Sequence, residues 1–540
     1  MKKILSLMLV LCLMLASLTM LFSCKDEEGE GSESVSETVG ETKETSVTLE
    51  ETNEYSENLF ISAVPVDDLD FDGENIVILM RNSETHYREW GKDNPADDLD
   101  EAISTRNEKV ASDLNLTVTY DKKNTGSFAD YLNQFNSFIY NDVYLGIHEY
   151  DVVAAFAYGA PNAEIRDYLA NMNDKDTFPY FNFNLPCWNQ AMVQNIIVND
   201  KLFCVAGDLN LSMFDKAMVV WCNKTLYNSK KDAEDPDIQD LALSEDGWCY
   251  ADLFRWAQYS EASGGTGDAC TNTYGFAYGG ATMFDSFVPG WQLELVIENN
   301  DGTHSFNIEG NEKAEDALEA LRSLLDQTGN FPHTDNLVGP NCTCGDGLHK
   351  HFTNGTVMFY LSCLYNSETD NLLMRGMEDE YCLLPVPKYD EGQEEYGTTS
   401  ADNYNLLTVL DHYNSEVPTK GELVSAYLQY STEESYTDVR GMYFEKIIRG
   451  KYFGTNDEDG TVSKSIEIFN KVLNTITFDV GIIYSPVLRD VGWLWRDVVR
   501  TESTLAGAFT SNSNSGSGDL RTKEQYMEAL ASFDAWMFAD

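Results

Sequence analysis

The chain has 540 residues, 43% of them hydrophobic and 12% aromatic, and carries a formal net charge of -54. That charge excludes nucleic acid as a partner, because phosphate binding needs a basic face, and excludes docking of the protein surface on anionic lipid headgroups. The apolar content suffices for a large folded body, and the length implies two or three domains rather than one core.

Lys2 and Lys3 precede an almost wholly apolar run from Ile4 to Phe22, which stops at Ser23 and Cys24. By length the run could be a transmembrane helix. A charged start, an apolar centre and a small residue before the break fit a secretory signal. Leu21, Ser23 and Cys24 resemble the Leu-x-small-Cys lipobox of bacterial lipoproteins, with Phe22 bulkier than the usual residue. The resemblance implies that Cys24 is lipidated and becomes the first mature residue; the other reading is an uncleaved anchor. Both place the remainder on the extracellular side of the cell membrane. Residues 1–23 are therefore read as a signal peptide and 24–69 as an acidic tether. The tract after Lys25 has too little apolar content to offset its ordering entropy, and its like charges extend it.

Within the body, Glu74–Met80 is a short apolar run that predicts a buried strand. Leu99, Ile103 and Val110 have helical spacing between Asp97 and Asp113. Leu114–Tyr120 alternates as a strand, Phe128–Tyr140 predicts a helix, and Tyr150–Phe156 a third buried strand. This alternation predicts an open α/β sheet, whose ligands sit beyond the carboxyl ends of its strands. Lys201–Ala206 and Ala217–Cys222 predict two more strands, split by Gly207–Ser212. Leu293–Ile308, with Asn-Asn-Asp-Gly at its centre, predicts a hairpin. Ala314 to Leu325 predicts a helix, Thr356–Leu361 and Tyr381–Pro385 strands, and Leu423–Tyr430 and Val462–Leu473 helices. Ser511–Gly518 is expected to be a flexible surface loop.

Of the 11 cysteines, Cys12 and Cys24 belong to the leader, which leaves an odd number at irregular spacing in a large body. This is no disulfide scaffold; Cys204, Cys222, Cys363 and Cys382 sit in apolar runs and are expected as buried small hydrophobes. Cys342, Cys344, His349 and His351 offer zinc-type ligands within ten residues. Their one-residue gaps fall short of the usual spacing of structural zinc sites, so they are weak metal candidates and no cofactor is assigned.

Several segments, in order, carry a family resemblance. Leu185–Gln190 is similar to a Pro-Trp-Trp-Asn stretch, with Cys187 in place of the first tryptophan. Asp200–Asp208 is similar to a Gly-Lys-Leu-Tyr…Gly-Asp strand, and Val219–Lys224 to the Phe-Asn-Lys strand after it. Asp246–Trp248 with Leu253 is similar to a Gly-x-Trp-Thr helix entry, with Cys249 in place of threonine. Phe352–Met358 and Tyr443–Glu445 near Asp479–Gly481 continue the series. Together, over residues 70 to 540, they resemble the bacterial ABC-importer solute-binding lipoproteins (family 1, carbohydrate type) of the large extracellular kind common in clostridia. The resemblance implies a two-lobed, periplasmic-binding-protein-like α/β fold with a ligand cleft between lobes joined by crossover strands. It implies lobe 1 over 70–208 and 401–478, and lobe 2 over 209–400 and 479–540. Crossings are expected near Gly207–Ser212, Thr398–Asn403 and Phe478–Tyr484. The implied partners are a carbohydrate solute, the permease subunits and the membrane, through the lipid on Cys24; the receptor is expected as a monomer.

Sugar recognition needs flat aromatic faces and planar polar groups in a mostly apolar pocket. Asn82, Glu84 and Trp90 lie in the loop after the first strand, either lining the cleft or solvated with Trp90 packed locally. Tyr158 follows the third strand and is a cleft residue or a turn residue before Gly159. Asp208 and Asn210 stand at the first expected crossing, where turn chemistry beside Gly207 is the other reading; Asp402 and Asn403 stand at the second. Trp291 is a platform or core. Trp493 and Trp495 follow the third crossing, with one of them expected to face the core.

No Gly-x-Ser-x-Gly elbow, His-Glu-x-x-His or P-loop occurs, and only 7 histidines are present. A non-enzyme is therefore expected. Acidic pairs could serve a glycoside hydrolase, but 90 acidic residues make chance pairs common. The alternatives are a lipoprotein glycoside hydrolase, a surface glycan-binding adhesin, or a receptor for a peptide or another polar solute.

Overall fold

The computed structural model describes residues 61–539 apart from 84–86, 93, 125–127, 263–270, 332, 335–336, 339–347, 366–373, 413–417, 445–462 and 514–519. Cys24, Glu84, Cys342 and Cys344 lie outside the described residues, as do the expected signal and most of the tether.

The apolar run after Gly73 forms strand β1 (Glu74–Arg81). Asp97 caps helix α1 (Asp98–Asp113) by accepting the Asp100 N–H at 2.9 Å. The helix turns Leu99, Ile103 and Val110 inward and delivers the chain to β2 (Leu116–Lys123). Helix α2 (Phe128–Ile139) buries Tyr131, Phe135 and Ile139 at a four-residue interval and leads to β3 (Val152–Phe156). Both crossovers return parallel to β1.

After helix α3 (Leu211–Asp215) the chain enters a second sheet. Its strands are β4 (Met218–Asn223), β5 (Ser260–Glu261), β6 (Thr273–Tyr278), β7 (Val357–Cys363) and β8 (Tyr381–Leu384), in the order β8-β4-β7-β6-β5. Helix α4 (Glu312–Leu325) lies between β6 and β7 in sequence. The chain then returns to the first sheet as β9 (Asn405–Val409), antiparallel to β3, which completes the order β9-β3-β1-β2. Helix α5 (Pro418–Glu434) packs on α1, helix α6 (Lys464–Asn474) on β8, and helix α7 (Val491–Val499) on the turn Ala281–Ser286. The last helix, α8 (Lys523–Met537), stacks Trp536 on Phe203 with ring centroids 4.2 Å apart.

Two expectations need correction. Lys201–Ala206 is not a strand: its hydrogen bonds scatter, Leu202 to Met172 and Asn171 and Val205 to Leu407, because this extended segment is leaving one sheet for the other. Helix α6 packs on β8 of the second sheet, and Ile466, Ile468, Phe469 and Val472 supply the buried face that seats it. Ser511–Ser513 is not loop but pairs antiparallel with Leu520–Thr522.

The passages between the sheets hold one another. Val205 and Leu407 exchange backbone bonds at 3.0 and 2.9 Å, the Met218 N–H donates to Thr399 O at 2.8 Å, and the Ala401 N–H to Lys216 O at 2.8 Å. A third segment joins them where the Thr477 N–H donates to Thr398 O at 2.8 Å. A buried carboxylate keys the first two together. Glu89 accepts the Ser212 N–H at 2.8 Å and the Asn405 side-chain amide at 2.5 Å, and the Asn405 N–H donates to Ser212 Oγ at 3.0 Å. The Arg106 guanidinium donates to the Glu89 carbonyl at 2.8 Å and to Ser435 Oγ at 3.0 Å. Burial pushes the Glu89 carboxyl up to about 7 against these donors.

Two glycines bracket the passages. A Cβ on Gly207 would lie 2.6 Å from the Cys187 carbonyl oxygen, and one on Gly397 would lie 2.1 Å from that of Pro289. Gly207→Ala and Gly397→Ala are expected to lower the melting temperature by several degrees, as overpacking costs of ~1–3 kcal/mol imply; calorimetry checks this. Glu89 also sets a pH dependence. Its folded pKa exceeds its ordinary value, so the unfolded chain loses the proton first as pH rises. Stability then falls from about pH 4.5 to about 7 and levels above. Urea titrations of Glu89→Gln should lack this component, a difference of about 3 kcal/mol across that window.

Candidate functional site

The carboxyl ends of β1 and β3 point toward the passages, and the loop after β3 carries Tyr158. The Tyr158 N–H donates to the Asp402 carbonyl at 3.1 Å, which joins this loop to the second passage. The Tyr158 ring stacks on Trp493 of α7, with centroids 4.6 Å apart and planes 24° apart. Its hydroxyl donates to Asp490 Oδ1 at 3.0 Å, and Asp490 Oδ2 pairs with Arg521 at 2.9 Å. Asp490 takes a left-handed backbone (φ 61°) at the start of α7, which turns its carboxylate toward the tyrosine.

One turn along α7, Arg496 lies 5.2 Å from the Trp493 ring centroid. Its Nε donates to Asp285 Oδ1 at 2.7 Å, and its Nη2 binds Asp285 Oδ2 and, at 2.7 Å, Asp402 Oδ2. One guanidinium thus ties the second sheet's turn, through Asp285, to the second passage, through Asp402. Burial pushes Asp285 up to about 6 against the pull of Arg496. Burial and the Asp490 charge hold the Tyr158 phenol far above its usual range, so it remains a donor. The arrangement offers two aromatic faces beside a paired array of carboxylates and guanidiniums, which suits C–H surfaces and hydroxyls.

The structure brings Tyr158, Asp402 and Trp493 together, all half-buried. The other proposed residues lie elsewhere. Trp90 is 0% exposed and packs beside Tyr120. Trp291 is 0% exposed among Phe287, Tyr389 and Tyr250, with its indole N–H on the Pro387 carbonyl at 3.1 Å. Trp495 is 0% exposed and donates to the Phe284 carbonyl at 3.0 Å. These three are core residues: Trp90 and Trp291 follow the second of their two readings, and Trp495 is the one of its pair that faces the core. Asp208 and Asn210 are buried in the first passage. The Asp208 carboxylate lies 3.4 Å from Arg440, and Asn210 accepts the Gly207 N–H at 3.1 Å, so their roles are ion pairing and turn chemistry. Asn82 is exposed and donates to Asn124 at 2.7 Å, and Asn403 is exposed beside Asp402. His349 and His351 share one short helix but face Tyr360 and Phe331 respectively; among the described residues no group of three side chains could hold a metal.

Asp285, Asp490, Arg496 and Arg521 join the site without having been singled out in the sequence. Arg496 is three residues beyond Trp493, a helical spacing that places both on one face; the other three carried no such signal. A separate cavity of about 750 Å³, lined in part by Arg166, Asp167, Lys175, Asp200, Phe203 and Trp536, shares no residue with this cluster. It lies beside α8 and the Lys201–Phe203 start of the first passage.

No protein-family model matches the chain, and no curated protein matches it. Among solved structures, the maltose/maltodextrin-binding domain of Bdellovibrio bacteriovorus is similar at 11% identity, covering 85% of this chain and 99% of that one, with a TM-score of 0.47. The galacto-N-biose/lacto-N-biose I-binding protein of the ABC transporter of Bifidobacterium longum is similar at 12% identity, covering 86% and 97%, with a TM-score of 0.46. The GacH receptor of Streptomyces glaucescens is similar at 11% identity, covering 86% and 99%, with a TM-score of 0.46. The chain has a mixed α/β fold, in which it passes between two sheets at Val205–Met218 and Thr398–Asn405.

The placements separate two kinds of tryptophan. Trp291→Ala and Trp495→Ala are expected to cost ~3–5 kcal/mol of stability, as large core truncations do. Trp493→Ala should cost clearly less, because that ring is half-buried. Chemical denaturation of the three variants checks the order.

Proposed function

We propose that the protein is a membrane-tethered extracellular receptor that captures a solute, a sugar or oligosaccharide, and delivers it to an ABC importer permease. The observation that carries this reading is the Tyr158–Trp493 stack, which sits where both sheets and the second passage converge. At 4.6 Å between centroids, no sugar ring fits between the two aromatics. A solute enters when the halves part at the paired passages and is gripped when they close, which is hinge motion. Asp402 and Asp285 then present carboxylates held by Arg496 to hydroxyls.

The solved structures similar to this chain include proteins whose names record maltose, maltotriose and lacto-N-biose binding, and the sequence motifs point the same way. No helix among the described residues is long and apolar enough to cross a membrane; the lipobox-like Leu21, Ser23 and Cys24 support anchoring through lipid on Cys24. The protein performs no chemistry in this reading. Asp285 and Asp402 share one guanidinium and Asp490 is held by Tyr158 and Arg521, so these carboxylates are not free to act as the acid and base of a hydrolase.

A thermal-shift screen of the chain against mono- and oligosaccharides, peptides and amino acids tests the proposal, since a ligand specific to the folded state raises the melting temperature. One sugar class is expected to raise it. Isothermal titration with that sugar should then show Trp493→Ala and Tyr158→Ala weakened at least about tenfold, the loss of ~1.4 kcal/mol or more. Unchanged affinity in both variants removes the stack from the site; stabilisation by peptides alone replaces the carbohydrate assignment.

A further inference from the structure

Strands β4 and β8 pair antiparallel with Cys222 directly opposite Cys382. The six described cysteines are all buried and reduced, and no other two of them are partners across a strand pair. Residues facing one another across antiparallel strands have Cα atoms ~4.5–5.5 Å apart, within the span of a disulfide. Opposite residues also project to the same face of the sheet.

We propose that Cys222 and Cys382 are a disulfide site, oxidised by a disulfide-bearing thiol oxidant once the chain has left the cytoplasm. One cysteine thiolate attacks the oxidant's S–S bond and releases one thiol, forming a mixed disulfide. The other thiolate attacks the cysteine sulfur of that mixed bond and releases the second thiol. One S–S bond breaks and one forms; the protein gives up two electrons and two protons, and the oxidant gains both.

The fold indicates when this happens. Both sulfurs are 0% exposed, and burial holds the Cys222 thiol well above its usual range, so the closed sheet reacts slowly. Strand β8, however, is only four residues long and forms the edge of its sheet. Cys382 is therefore reachable while the chain folds or when this edge opens locally. The bond closes a loop of about 160 residues, a length at which a cross-link removes much unfolded-state entropy. Both cysteines lie at the strand ends away from the passages, so the bond stabilises the second sheet without altering the solute site.

The experiment is to refold the full-length chain in a glutathione redox buffer, block free thiols with iodoacetamide, and map the peptides by mass spectrometry. The expected result is a linked pair of peptides holding Cys222 and Cys382. The melting temperature of the oxidised chain should exceed that of the dithiothreitol-treated chain by about 5 °C or more. Cys382→Ala should abolish the sensitivity to reductant, and the reductant titration on the wild-type chain reads the same effect if that variant folds poorly. Alkylation of both cysteines after refolding, or linkage of either to a different cysteine, overturns the proposal. Neither outcome depends on which solute is bound.

Discussion

The two long passages between the sheets are bonded to each other through their backbones before any side chain contributes. Val205 with Leu407, Met218 with Thr399, and Ala401 with Lys216 make a ribbon whose two ends enter different sheets. A ribbon of this kind resists shear but bends, because bending preserves the cross-strand bonds that shear would break. Glu89 fixes one end of it to the first sheet by holding Ser212 and Asn405 together. Tyr158 and Asp402 lie on that side, and Trp493 and Asp285 on elements of the second.

Electrostatics near the site run against the composition of the chain. The protein carries a charge of -54, yet Asp285, Asp402 and Asp490 each lie against an arginine. At Asp285, burial pushes the carboxyl up and Arg496 pulls against it. Arg496 pairs with both Asp285 and Asp402 and also lies over Trp493, so one residue orders a charge pair and an aromatic face. Where burial exceeds pairing, as at Glu89, the carboxyl shifts toward neutrality.

The strands and helices with clean apolar periodicity were legible in the sequence: β1, α1, β3, β4 and α4 fall where their patterns end. The short strand β9 escaped notice, since five buried residues beyond a polar crossing show no alternation. Lys201–Ala206 read as a strand because its composition suits one, but extended chain that passes between sheets has the same composition. Tryptophans were the least legible residues. A platform and a core tryptophan differ in what surrounds them, and Trp291 is enclosed by residues distant in sequence, among them Tyr250 and Tyr389. Asp490 and Arg521, 31 residues apart, meet only through the tertiary fold.

The central claim is that a solute is held between elements of both sheets at the Tyr158–Trp493 stack. Hydrogen exchange with and without a saturating, stabilising sugar tests it most directly. The account predicts slowed exchange at Tyr158–Ala160, at Asp402–Asn403 and at Asp490–Arg496 together. Protection confined to one sheet, or to the cavity beside Trp536, would contradict it.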